Sequence, residues 1–371
     1  MRIVLTGGGT GGHIFPIIAV AKKIREIFKD KDKDDTEFLF LGPRGKLEEE
    51  AMRGEFIPTR NIFSGKLRRY FSFWHFVDIL KFPIGFLQSL WHLLIFMPDV
   101  IFAKGGYASV PVVLAGWIYR IPILIHESDI TPGLANQLSS RFAKIVAVSY
   151  PGAANFFNPV KVVVTGNPIR DELTQGSREE ARKVFSLGPD KKIILVMGGS
   201  QGALAINEAI VHILAKLLAR YEIIHITGRE QYEKVIHEAG VLGIKANHGD
   251  YHVYPFLKEE ISHALSAADL VISRAGASAV TEIAANGKPS IIIPIKESAN
   301  NHQELNAFEL AEAGAAVVLE QDNLGENILL GKIEEIMENQ DFRYELSERI
   351  KKFYYPDAAE KIAEEIMKIV S

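Results

Sequence analysis

The chain has 371 residues, more than the roughly 250–300 at which a single core stops growing, so two domains are expected. A composition of 47% hydrophobic and 24% charged residues is that of a globular protein, and a net charge of −4 gives no global electrostatic reason to bind nucleic acid. The absence of cysteine excludes disulfides, thiolate catalysis and cysteine-ligated metals.

The first residues enter a strand without the basic, apolar and small-residue order of a signal peptide, which predicts a cytoplasmic protein. Short apolar runs then alternate with amphipathic segments, the pattern of βαβ units on a parallel sheet. In the first half the predicted strands are Ile3–Thr6, Glu37–Leu41, Val100–Ala103, Ile123–His126, Ile145–Val148 and Lys161–Val164. Gly166-Asn167-Pro168 breaks the series, and a charged helix, SREEARKVFS, follows. The second series is Ile193–Met197, Tyr221–Thr227, His252–Tyr254, Leu270–Ser273, Ser290–Pro294 and Ala316–Leu319.

Each series opens on strand, Gly-rich turn and helix, IVLTGGGTGGH and ILVMGGSQGALAIN. The expected fold class is therefore α/β, with Rossmann-like parallel-sheet domains over 1–165 and 166–355. Ligands bind beyond the carboxyl ends of such strands, so a cleft between the two domains is the expected site. The amphipathic segment 356–371 is expected to form a helix that packs back on the first domain.

One stretch, FSFWHFVDILKFPIGFLQSLWHLLIFMPDV, is the most apolar and aromatic in the chain. Its longest uncharged run, Phe82 to Pro98, contains Pro83, Gln88 and His92 and falls short of the about 20 apolar residues a spanning helix needs. It reads either as a buried helix pair or as a surface that dips into a bilayer. The second reading rests on Lys66, Arg68 and Arg69 beside aromatics including Phe73 and Trp74, with Trp91 further on.

Three Gly-rich turns carry the chemistry. Gly7, Gly9 and Gly12 fit G-x-G-x-x-G, but the second strand ends in Leu41-Gly42-Pro43 without the acid that holds a dinucleotide ribose. A dehydrogenase is thereby disfavoured; what remains is close approach of a ligand to backbone at a helix N-terminus. His13 follows directly and is a candidate general base, its pKa lying near neutrality. Gly198-Gly199-Ser200-Gln201-Gly202 lacks the Lys-Ser/Thr pair of a Walker loop, which predicts phosphate binding without P-loop hydrolysis. In SRAGASAVTEIAANGKPSIIIP, Glu282 lies near the start of a helix, where a carboxylate can accept both hydroxyls of a ribose. The Asp-x-Asp within KDKDKDD sits in a charge run and reads as a solvated loop, and the eleven histidines show no metal-ligand spacing, so no metal site is expected.

GGGTGGHIFP, KGGYASVPVVLA, HES…PGLAN, TGNPIR, GGSQGA…N and SRAGASAVTEIAANGKPSIIIP…HQELNA occur in this order along nearly the whole chain. In this the sequence resembles the MurG family of glycosyltransferases. The resemblance implies the GT-B fold, no cofactor, and inverting transfer of GlcNAc from UDP-GlcNAc to the MurNAc C4 hydroxyl of lipid I. Alternatives are a GT-B transferase with another UDP-sugar or acceptor, or a nucleotide-binding regulator without catalysis.

The resemblance places Thr10, Gly11 and Gly12 near the donor sugar and diphosphate, and His13 or Glu127 as the group that handles the proton. It implies Arg170 and Ser200 as diphosphate contacts, Leu257 at the uracil, Glu282 at the ribose, and Gln303 with His302 at the GlcNAc hydroxyls, with Asn207 in the same donor set. Gly105, Gly106 and Tyr107 resemble the acceptor-side motif. The family's His-Glu-Gln-Asn is here His126-Glu127-Ser128-Asp129. Asp129 cannot donate as an amide does, and Asn136 is the residue expected to compensate. Implied partners are UDP-GlcNAc, lipid I, an anionic inner-leaflet surface and other cell-wall synthesis proteins, with a peripheral location on the cytoplasmic side of the inner membrane.

Overall fold

The computed structural model describes residues 1–29, 36–65, 74–198, 203–296 and 301–370, with 74–80 as backbone alone. The expectations for Lys66, Arg68, Arg69, Phe73, Ser200, the Trp74 side chain and the Asp-x-Asp run lie outside the described residues. The chain divides into two compact units, Met1–Arg170 with Tyr355–Ser371, and Asp171–Tyr354.

In the first unit, β1 (Arg2–Thr6), β2 (Glu37–Gly42), β3 (Thr59–Asn61), β4 (Val100–Ala103), β5 (Ile123–Glu127), β6 (Ile145–Val148) and β7 (Val162–Val164) form one parallel sheet. Its order is β3-β2-β1-β4-β5-β6-β7. The strands are apolar on both faces because both are covered. Ile3, Leu5, Phe40 and Phe102 pack under the Gly11–Lys29 helix and the carboxyl-terminal helix Ala358–Val370, while Val4, Leu41, Ile101 and Ala103 pack under Ser109–Ile118. Ile362 and Ile366 are fully buried there. At about 1.5–3 kcal/mol for each such side chain, the last helix fastens itself to the first sheet.

The unit boundary falls after Arg170 and at Tyr355, several residues beyond the expected Thr165 and at the edge of the expected 355. Thr165 and Gly166 donate backbone N–H groups to Val148 O, and the Gly166 carbonyl contacts His126. A Cβ on Gly166 would lie 2.4 Å from Tyr355. These contacts hold the post-β7 segment, Arg170 included, to the first unit.

The stretch that reads either as a buried helix pair or as a membrane-dipping surface is one helix, Trp74–Phe96, with Pro83 inside it. Phe86, Leu90 and Leu93 pack on the sheet, while Leu87, Trp91, Leu94 and Ile95 are each more than half exposed. Among the described residues no helix is long and apolar enough to cross a membrane.

The second unit carries β8 (Lys192–Met197), β9 (Tyr221–Ile226), β10 (Tyr251–Tyr254), β11 (Leu270–Ser273), β12 (Ser290–Ile292) and β13 (Val317–Val318), all parallel in the order β10-β9-β8-β11-β12-β13. In both sheets the winding reverses beside the first strand, between β1 and β4 and between β8 and β11. The crevice beyond these strand ends is where an open α/β sheet binds its ligand.

Candidate active site

At the β1/β4 reversal three turns meet. The Gly7–Gly12 turn leads into the Gly11–Lys29 helix and places Thr10, Gly11, Gly12 and His13 at its first turn. His13 Nδ1 lies 3.0 Å from Gly8 O and 3.2 Å from Thr10 Oγ1. A carbonyl can only accept, so Nδ1 donates and Nε2 is the proton-accepting nitrogen of the neutral ring. The turn is fixed from outside by Glu48, a buried carboxylate that accepts the Gly9 N–H at 2.9 Å.

The turn after β4 carries Lys104, Gly105, Gly106 and Tyr107. Gly106 has φ +82, and a Cβ there would lie 2.9 Å from Gly8 O and 3.5 Å from the His13 ring. Only glycine satisfies both the left-handed backbone and that approach. The Tyr107 ring lies over Gly9.

The turn after β5 is organised by Glu127. Its buried carboxylate accepts the Asp129 N–H at 3.0 Å, the Gly133 N–H at 3.1 Å and Asn136 Nδ2 at 2.9 Å. Burial, and then the like charge of Asp129, push its carboxyl above the usual range, against those donors and the Lys104 cation. Asn136 Nδ2 also donates to His126 O, so both amide hydrogens are engaged within the protein. Asn136 therefore cannot compensate for the missing amide at Asp129; its work is to hold Glu127. His126 is fully buried, its Nε2 donates to Gly166 O at 2.9 Å, and burial with the adjacent Lys104 keeps it neutral.

Arg170 lies on this unit rather than on the second, its guanidinium 4.5 Å from the centre of the Phe15 ring. Such stacking leaves the edge of the guanidinium for an anion.

In the second unit the corresponding ends gather a different set. Leu257 is buried in the loop after β10. β11 ends at Ser273, and buried Arg274 donates to Ile293 O, Pro294 O and Gln321 Oε1. Burial pulls that guanidinium down to about 10. It ties the loops after β11 and β12 together, with Asn306 donating to Ala275 O. Glu282 lies in the second turn of Ala277–Ala285 and is half-buried. His302 and Gln303 open the helix His302–Glu312, and Gln303 Oε1 accepts the Ile295 N–H at 3.1 Å.

Asn207 is a correction. It is buried, Nδ2 donates to Thr227 O, and Oδ1 accepts from His225 Nε2, whose ring contacts Tyr251. The residue belongs to a hydrogen-bonded chain inside the second core, not to a ligand surface. Sequence reasoning also missed Glu48, Lys104 and Arg274. Lys104 carried a signal, a lysine closing an otherwise apolar strand; Glu48, one of three successive acids on an amphipathic helix, carried none.

The sequence matches the glycosyltransferase family 28 N-terminal domain over residues 3–148 and the family 28 C-terminal domain over residues 193–362. The chain belongs to glycosyltransferase family 28. Relatives include the UDP-N-acetylglucosamine--N-acetylmuramyl-(pentapeptide) pyrophosphoryl-undecaprenol N-acetylglucosamine transferase of Clostridium kluyveri, 38% identical over 336 residues, 90% of this chain and 91% of that one. The Clostridium tetani enzyme of the same name is 35% identical over 341 residues, 92% of this chain and 91% of that one. Among solved structures the chain is similar to Acinetobacter baumannii MurG, with a TM-score of 0.74 and 27% identity over 99% of each chain. A Neisseria meningitidis UDP-GlcNAc 2-epimerase, at TM-score 0.69 and 14% identity over 99% of this chain and 100% of that one, shares the fold alone. The two Rossmann-like sheets of this family 28 protein are those of the GT-B fold.

Proposed function

We propose that this chain transfers GlcNAc from UDP-GlcNAc to undecaprenyl-pyrophosphoryl-MurNAc-pentapeptide, lipid I, to give lipid II in peptidoglycan synthesis. The observation that carries this reading is the His13 constellation at the β1/β4 reversal, in a chain that resembles transferases of that printed name over nine-tenths of its length.

His13 Nε2 removes the proton from the MurNAc C4 hydroxyl as that oxygen bonds to the anomeric carbon of GlcNAc. The bond from that carbon to the UDP oxygen breaks on the opposite face, so the configuration inverts and UDP leaves with the electron pair. Its negative charge is met by Arg170, the Ser200 turn and helix N-terminal amides. Leu257 borders the uracil, Glu282 takes the ribose hydroxyls, and His302 and Gln303 take those of GlcNAc. Thr10, Gly11 and Gly12 approach the transferring sugar, while Gly105, Gly106 and Tyr107 line the acceptor side. Glu127, closed in by three donors, positions the turn rather than taking the proton.

The lipid-linked acceptor calls for a peripheral place on the membrane. The exposed face of Trp74–Phe96, with Leu87, Trp91, Leu94 and Ile95, supports such a contact, and Lys66, Arg68 and Arg69 supply cations for anionic headgroups. Labelled GlcNAc transfer to a lipid I analogue, with and without EDTA, tests the reaction. Product supports it, and product in EDTA adds metal independence. Bound UDP-GlcNAc without product in either condition, together with transfer to another acceptor, would replace lipid I in this reading.

A further inference from the structure

Lys104 is a buried cation the mechanism above leaves without a task. It stands at the carboxyl end of β4, 1% exposed, its backbone N–H bonded to Thr6 O. Its Nζ has no hydrogen-bond acceptor among the described residues. On one side is the Gly7 turn, where a Cβ on Gly7 would lie 3.4 Å from the Lys104 Cβ. On the other is the β5 turn, so close that a Cβ on Gly105 would lie 2.8 Å from Asn136 Nδ2; burial pulls the ammonium down to about 8, and the Glu127 and Asp129 carboxylates of that turn attract it and oppose the fall. A buried ammonium is costly unless compensated, and two nearby carboxylates, one of them closed from water, have the same problem with opposite sign.

We propose that Lys104 is a positioning residue of the acceptor side: its ammonium keeps the Glu127 carboxylate ionised beside Asp129, and so holds the β5 turn in its working form. The inference rests on the function proposed above. Ionised Glu127 accepts three N–H donors; a protonated carboxyl accepts less strongly and would release the turn that Gly133 and Asn136 help to close. The charged and titratable groups facing Lys104 are His126 and Glu127 on β5 and Asp129 after it. His126 stays neutral and so does not substitute for the cation. Lys104 also accounts for Asp129 where the family resemblance expects an amide: a carboxylate is tolerated there because a cation faces it.

The test is a double-mutant cycle of Lys104→Met and Asp129→Asn, with kcat/KM for the lipid I analogue followed across pH. The expected result is that Lys104→Met moves the acid limb to higher pH and lowers kcat/KM at pH 7 roughly tenfold, with UDP affinity unchanged. Asp129→Asn in the Lys104→Met background removes the repelling carboxylate and moves the limb back. A loss that is uniform across pH, or strictly additive in the cycle, would overturn the proposal. If Lys104→Met does not fold, Lys104→Ala assayed with and without ethylamine gives the comparison within one protein; the amine restores activity only if charge is what was lost. Carbon-13 NMR titration of the Glu127 carboxyl, assigned by Glu127→Gln, reads the same upward movement without turnover. An enzyme that fails to transfer to lipid I but shows that movement refutes the function and keeps the ion cluster; transfer without the movement does the reverse.

Discussion

Gly106→Ala tests the fit between the two turns at the first sheet. The backbone there is left-handed, at φ +82, which costs an alanine about 1–2 kcal/mol. The new methyl would also lie 2.9 Å from Gly8 O, so the Gly7–Gly12 turn must move, adding about 1–3 kcal/mol of overpacking. Together these come to about 2–5 kcal/mol, or roughly 5–15 °C in Tm for a unit of this size. The catalytic effect is separate. Gly8 O is the acceptor that orients His13 Nδ1, so displacing it by about 1 Å turns the base and lowers kcat on the order of a hundredfold. Calorimetry, kcat for GlcNAc transfer and the Kd for UDP are the measurements, and the Kd is expected to hold. Gly331→Ala is the control, since it has ordinary φ and open space inside the helix Glu326–Glu338 and should gain about 0.5–1 kcal/mol. A Gly106→Ala enzyme with the Tm and kcat of the parent would refute the reasoning.

His13→Ala is expected to lower kcat by roughly 10² to 10⁴ with UDP affinity unchanged by titration calorimetry; lost affinity would move His13 into the nucleotide site. Leu87→Glu with Trp91→Glu should weaken sedimentation with anionic vesicles at least about tenfold while leaving transfer to a detergent-soluble acceptor intact. Equal vesicle binding would remove that face from the membrane reading. His225, buried between Asn207 and Tyr251, is pulled by burial from 6.5 to about 3. The folded protein thus keeps it neutral while the unfolded chain protonates below pH 6.5. Its stabilisation is full above that pH and declines as pH falls toward 3, by up to about 1.4 kcal/mol per unit. Urea unfolding at pH 7, 6 and 5 should show the slope, and His225→Gln should flatten it.

Both sheets were legible as βαβ patterns because their strands are covered on two faces and so read as unbroken apolar runs. β3 was not, because Thr59-Arg60-Asn61 has no apolar signal and becomes a strand only by pairing with Phe40–Gly42. His13, the glycine turns and Glu127 were found because small or polar residues directly after an apolar strand mark its carboxyl end. Asn207 was misassigned for the same reason: an asparagine after a glycine turn looks like a ligand until its partners are seen, His225 on the neighbouring strand and Thr227 just after it.

The sequence by itself determined two parallel α/β sheets, the turns that end their strands and the residue types gathered there, since all of these are local patterns of a few residues. Only the tertiary structure decided which side chains meet. Glu48 reaches Gly9, Asn136 closes on Glu127, Tyr355 returns to Gly166, and Lys104 is sealed between β1 and β5. Those partners lie 9 to almost 190 positions apart, about 190 being the Gly166-to-Tyr355 separation, and what joins them is the winding of the sheet and the desolvation of charge, neither of which is written in any short stretch of chain.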